Sequence, residues 1–167
     1  TISGDQTGKY QKGDKIKLTQ TTVKYFYIIS VSYGAPNTTV TVTGGTDYSL
    51  ANAAITAPYY SKAANPQGFP GGIAFTPTFV PPSATFAYTT QLGKFSIQGG
   101  KVLFELFLQL NGAPGGTTSN SVSVQLPVTN ASGLTVTLPV YWNVVTLPAN
   151  MTFLVGLIAN AASAATL

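Results

Sequence analysis

From Lys101 to Leu110 the residues alternate with a period of two. Val102, Phe104, Leu106, Leu108 and Leu110 fall on one side of an extended chain and are expected to face inward. Lys101, Glu105 and Gln109 fall on the other, joined there by Leu103 and Phe107. Successive side chains of a strand point to opposite faces, so this period fits a β-strand and not a helix. The same pattern recurs along the chain: at Lys15 to Gln20, Val23 to Tyr33, Thr38 to Thr43, Leu92 to Gln98, Ser121 to Leu126, Leu134 to Leu138, Val140 to Leu147 and Met151 to Ile158. Gly34-Ala35-Pro36-Asn37 supplies residues that favour chain reversal, so the strands on either side of it are expected to form a hairpin. Pro127, Pro139 and Pro148 stand at strand ends, where a missing N–H does least harm. The Ala-rich stretch Ser49 to Thr56 is the one place where a single helical turn is expected.

One segment interrupts this order. Residues 65–72, Asn-Pro-Gln-Gly-Phe-Pro-Gly-Gly, combine prolines that lack a donor with glycines that loosen the backbone. Regular structure is expected to stop there. The expected division is a small β-module over 1–70, a linker over 71–73, and a β-sandwich over 74–167. The short strands of the second part, at this spacing, suggest an antiparallel sandwich of jelly-roll type.

Composition narrows the chemistry. At 44% hydrophobic the chain can bury a core. Only 7% of its residues are charged, and there is no His and no Cys. All the cations are lysines, and beyond Ala63 the charged residues are Lys94, Lys101 and Glu105. A Ser triad has no His base here. Thiolate or imidazole zinc sites have no ligands, and no carboxylate-rich loop suits calcium. A glycosidase needs two carboxyl groups a short distance apart. The carboxylates Asp5, Asp14 and Asp47 lie in the first part and Glu105 lies alone in the second, so no such pair is expected. The +4 charge reflects lysines clustered at Lys9, Lys12, Lys15, Lys17 and Lys24. Without Arg for bidentate contacts this reads as solvated lysines, not as a nucleic-acid footprint. The apolar run Phe153 to Ala159 is too short to span a bilayer. The start Thr-Ile-Ser-Gly carries no signal sequence and reads as a piece of a longer protein. No enzyme activity, cofactor, metal, nucleic-acid partner or membrane insertion is expected.

Aromatic side chains remain as binding groups. Flat rings pack on the apolar C–H faces of sugars, and Asn, Gln and Thr satisfy the hydroxyls. Tyr59, Tyr60, Tyr141, Trp142 and Asn143 are the candidates. Trp142 shares a strand face with Val140 and Val144 and is expected in the core. Tyr141 and Asn143 share the opposite face and are the better exposed pair. Leu103 and Phe107, apolar on an otherwise polar strand face, are candidate contacts between copies of the chain.

Lys15-Ile-Lys-Leu-Thr-Gln-Thr-Thr-Val-Lys-Tyr-Phe, then Ala35-Pro-Asn-Thr-Thr-Val-Thr-Val and Gly44-Gly-Thr-Asp-Tyr-Ser-Leu-Ala-Asn-Ala-Ala-Ile, resemble a module of bacteriophage tail and fibre proteins. Tyr59-Tyr-Ser and Asn65-Pro-Gln-Gly-Phe-Pro extend the resemblance. Gly93-Lys-Phe, Val102-Leu-Phe-Glu-Leu and Leu126-Pro-Val are similar to the sandwich that follows in such proteins. The resemblance implies a virion surface component near host attachment, often trimeric, and brings no catalytic motif. The expectation is therefore an all-β chain, with a small barrel-like module followed by a jelly-roll-like sandwich. It would be exposed on a virion as a homotrimer, beside other virion proteins, and would bind a host-surface polysaccharide. The rival expectations are a capsid decoration or fibre-shaft protein without receptor binding, and a cellular carbohydrate-binding module.

Overall fold

The computed structural model describes residues 1–45, 49–80, 84–99, 101–112, 115–116, 123–128, 136–139, 155–158 and 164–166, and the regular structure among them is entirely β. The strands are β1 (Ile2–Ser3), β2 (Lys15–Gln20), β3 (Thr22–Gly34), β4 (Asn37–Thr43), β5 (Thr56–Ser61), β6 (Ile73–Phe75), β7 (Phe79–Val80) and β8 (Ala84–Thr85). They continue as β9 (Tyr88–Gln98), β10 (Lys101–Leu110), β11 (Gly115–Gly116), β12 (Ser123–Gln125), β13 (Val136–Pro139), β14 (Val155–Ile158) and β15 (Ala164–Thr166). The all-β class expected from the alternation is the class found. The helical turn expected over Ser49 to Thr56 is absent. Instead the side chain of Gln20 holds the segment: its Nε2 donates to the carbonyls of Ala51 and Ala53, each at 3.0 Å, and its Oε1 accepts from Ala51 N at 3.1 Å. A side-chain amide that satisfies these backbone groups removes the need for a helical ladder.

The chain forms two compact units that interleave along the sequence. The first holds residues 1–76 and 93–106, and the second holds 77–92 and 107–167. The proline- and glycine-rich segment ends regular structure locally, as expected, since no strand lies between Ser61 and Ile73. It does not end the first unit, because β6 pairs antiparallel with β9, Ile73 opposite Phe95 and Phe75 opposite Gly93.

In the first unit an antiparallel sheet has the order β1-β4-β3-β2-β5. The central β3 is rich in Tyr, Phe, Ile and Val, which suit a pleated, half-covered surface. Its first half pairs with β2, Lys15 opposite Tyr27 and Gln20 opposite Thr22. Its second half pairs with β4, Tyr27 opposite Thr43 and Gly34 opposite Asn37. The expected hairpin is present, closed by Ala35 and Pro36. A bulge between Ile28 and Ser30 interrupts the second ladder, and bulges bend a strand and add twist. The sheet curls into a half-barrel. Phe26, Tyr27 and Ile28 are buried in succession, which requires cover on both faces of β3 at that point. Rings connect across the core: Phe69 to Tyr27 at 5.3 Å, Tyr27 to Phe95 at 5.9 Å, and Phe95 to Phe75 at 6.0 Å. Ile73, Phe75, Phe95 and Ile97 are all buried.

In the second unit β11 pairs with β8, and a further antiparallel sheet has the order β13-β14-β15-β12-β7. Its described core includes Pro77, Val124 and Leu126. Phe79 packs against Phe86 at 5.0 Å and stacks on Tyr88 at 6.2 Å. The Tyr88 hydroxyl accepts a hydrogen bond from Phe79 N at 2.6 Å, so a half-buried ring and a backbone donor are satisfied together.

Candidate functional site

The site grows out of the β2–β3 reversal. The chain turns back at Thr21, whose φ of 62° lies in the left-handed region, and Gln20 faces Thr22 directly. That reversal places Lys17 opposite Tyr25 and Lys15 opposite Tyr27. On the other side of β2, β5 places Tyr59 opposite Lys17 and Ser61 opposite Lys15. Residues two apart share a strand face, so this face carries two parallel rows, Tyr25-Lys17-Tyr59 and Tyr27-Lys15-Ser61. The Lys17 ammonium lies 5.9 Å from the Tyr25 ring centroid and 5.7 Å from that of Tyr59. Lys15 Nζ lies 5.6 Å from the Tyr27 ring. Such cation–π contacts are worth about 0.5–1 kcal/mol at exposed sites and more where water is excluded.

The loop after β5 covers this face. Phe69 stands edge-on to Tyr25 at 5.4 Å and to Tyr27 at 5.3 Å. Gly68, with φ at 76°, brings the backbone past Lys17 in a conformation that a side chain would strain. Between the loop and the strands lies a groove of about 270 Å³, lined by Lys15, Lys17, Tyr59, Ser61, Gln67 and Phe69 among others. A smaller hollow of about 110 Å³ lies on the far side of Phe69, against Tyr27, Ser96 and Gln98. Tyr59 is 63% exposed, so its ring is available to a ligand. Lys15 is buried, and desolvation pulls its ammonium below the usual lysine range, partly offset by Asp14.

Tyr60 also lines the groove, but its side chain is tied into the fold. Its hydroxyl donates to the Lys9 carbonyl at 2.5 Å, and its ring meets Tyr10 edge-on at 5.0 Å. Burial, then the hydrogen bond and negative charge of Asp14, push its phenol from the ordinary 10.0 up to about 12. A phenol with a raised pKa stabilises the fold while it stays neutral. That contribution is fully present below pH 10 and is lost as pH rises through about 12. Urea unfolding across this window is expected to show a falling midpoint that flattens in Tyr60→Phe. An equally steep fall in the variant would show that Tyr60 does not report the alkaline limb.

Tyr141, Trp142 and Asn143, the other expected sugar contacts, lie outside the described residues, as does Asp47. Of the two apolar residues expected to face outward on β10, Leu103 is 53% exposed and Phe107 is 55% exposed. Val102, expected to face inward, is 37% exposed as well, beside the turn that opens the strand. The remaining carboxylates are dispersed. Asp5 is held below the usual carboxylate range by the Thr7 hydroxyl and amide, Asp14 accepts from Gln11 N at 2.8 Å, and Glu105 is exposed on β10. Among the described residues no cluster of three metal-ligating side chains forms. No helix among them is long and apolar enough to cross a membrane.

Sequence reasoning singled out Tyr59 but missed Lys17, Gln67 and Phe69. The signal was a pair of lysines and a pair of tyrosines at matched spacing, Lys15 and Lys17 against Tyr25 and Tyr27. It becomes legible only once the reversal at Thr21 is known. No family model matches the chain, nor does any curated protein or solved structure, so the resemblance to phage tail and fibre proteins rests on the residues that carry it.

Proposed function

We propose that this chain is a virion surface component, of a tail or fibre, that binds a host cell-surface glycan in the Tyr59 groove. The observation that carries the reading is the exposed Tyr59 ring beside Lys17, at the mouth of a groove of about 270 Å³. Ligand pockets usually start at about 300 Å³, so this groove suits one or two sugar units of a longer polymer. The ring offers a flat apolar face, Gln67 and Ser61 offer hydrogen-bonding groups, and Lys17 offers a compact positive charge. That set favours a glycan bearing an acidic group, such as a uronate or a phosphate. Charge contacts at an open groove are screened by salt, so retention should fall as ionic strength rises.

The test is retention of the purified chain on cell envelopes and acidic polysaccharides of candidate hosts, with Tyr59→Ala and Lys17→Gln beside it. Tyr59→Ala is expected to weaken binding about tenfold or more, on the scale of one lost aromatic contact. Lys17→Gln is expected to remove most of the salt dependence. Equal retention of Tyr59→Ala and the wild-type chain would sink the groove assignment. Failure of the wild-type chain to bind any envelope would favour a structural role in the particle.

A further inference from the structure

Among the described residues β10 is an outer strand of the sheet β10-β9-β6, and no strand lies along its other side. An exposed strand edge with apolar side chains is a template for pairing with another chain. Natural edges are usually blunted by charge, and β10 carries two charged residues, Lys101 and Glu105, two positions either side of Leu103. Near its start both faces of the strand meet solvent, through Leu103 at 53% exposure and Val102 at 37%. The residues concerned, Lys101 to Leu106, all belong to the first unit.

We infer that β10 pairs edge to edge with β10 of a second copy, antiparallel, about a two-fold axis at Leu103. In that register Lys101 faces Glu105 of the second copy, Glu105 faces its Lys101, and the two Leu103 side chains meet between the two ion pairs. On the opposite strand face Val102 meets Phe104 twice. Opposite charges and apolar pairs directly across a ladder are the stabilising combinations, and like charges are destabilising. Other registers lose this match. Centring the axis on Phe104 sets Leu103 against Glu105 and Lys101 against Phe107. Centring it on Glu105 sets the two carboxylates against each other. A parallel in-register pairing sets lysine on lysine. The strand is thus self-complementary in one antiparallel register, as a two-fold interface requires. The trimer expected from the resemblance, the depleted charge and the outward Leu103 and Phe107 rests on nothing that fixes symmetry, whereas the order of residues on this edge selects a dimer.

Sedimentation equilibrium on the 167-residue chain is expected to give about twice 17.3 kDa. K101E and E105K each convert two symmetry-related attractive pairs into repulsive ones, so each should weaken self-association about tenfold or more. The double variant K101E/E105K restores opposite charges at both positions and should recover the dimer. The two single variants mixed together should associate with each other while neither does so alone. Circular dichroism of each variant separates lost pairing from lost folding, and Tyr59→Ala, which leaves this edge intact, should dimerise normally. A wild-type monomer at high concentration, a trimer, or a dimer indifferent to the single reversals would each overturn the inference.

Discussion

Tyr27→Ala is expected to lower the free energy of unfolding by about 3–5 kcal/mol, the range for truncating a buried large aromatic. Small domains have only about 5–15 kcal/mol in total, so this variant should sit near the threshold of folding. Tyr27 is 1% exposed, and its ring joins three parts of the first unit: Phe69 of the covering loop, Phe95 of β9, and Lys15 of β2. Removing it leaves a cavity bounded by separate elements, which collapse less readily than a site within one strand pair. Phe69 also loses one of the rings that hold it, so the groove beside Tyr59 should open and glycan retention should fall together with stability. Tyr27→Phe keeps the ring and isolates the hydroxyl, and it should cost well under half as much. Urea unfolding of the three proteins, monitored by circular dichroism, checks this. A cost below about 1 kcal/mol for Tyr27→Ala would mean that the loop is not docked on the sheet.

How far the sequence could be read follows from where its signals are local. The strand at Lys101–Leu110 was legible to its ends because alternation is a property of neighbouring residues. The β3–β4 hairpin was legible because Gly, Pro and Asn mark its reversal. The reversal at Thr21 was not, because Gln20-Thr21-Thr22 contains none of the residues that usually adopt positive φ. Hiding that turn hid the pairing of lysines with tyrosines, and with it most of the candidate site. Thr56–Ser61 was not among the expected strands, because an edge strand with exposed residues shows no buried alternation. The stretch Ser49 to Thr56 looked helical on alanine content alone, but Gln20, about thirty residues earlier, decides its conformation. The interleaving of the two units depends on β6 finding β9, a pairing between segments about twenty residues apart. Propensity and periodicity carry no information about such partners. The site shows the same division: an exposed aromatic can be nominated from sequence, but the cation beside it and the loop above it come from non-local pairing.

Gly93→Ala is expected to destabilise the first unit by about 1–3 kcal/mol, the cost of forcing extra volume into a packed core, although it adds a single methyl group. Gly93 lies opposite Phe75 across the β6–β9 ladder. A Cβ there would stand 2.7 Å from the Phe75 carbonyl oxygen and 2.7 Å from the edge of its ring. The Phe75 ring folds over the glycine and fills the space that a side chain would take, which is how an aromatic partner compensates a glycine within a strand. The ring is 2% exposed and packs against Phe95, so it cannot simply swing outward. The carbonyl belongs to the partner backbone and yields only if the strands separate. Two obstacles of different kind make a double-variant cycle informative. In a Phe75→Ala background the ring contact is gone, while the carbonyl contact remains. Gly93→Ala should therefore cost less there than in the wild-type chain, but not nothing. Equal costs in both backgrounds would place the strain in the backbone alone. A neutral Gly93→Ala in the wild-type chain would show that β6 does not meet β9 in this register, and the first unit would then lose the strand that ties residues 93–106 to it.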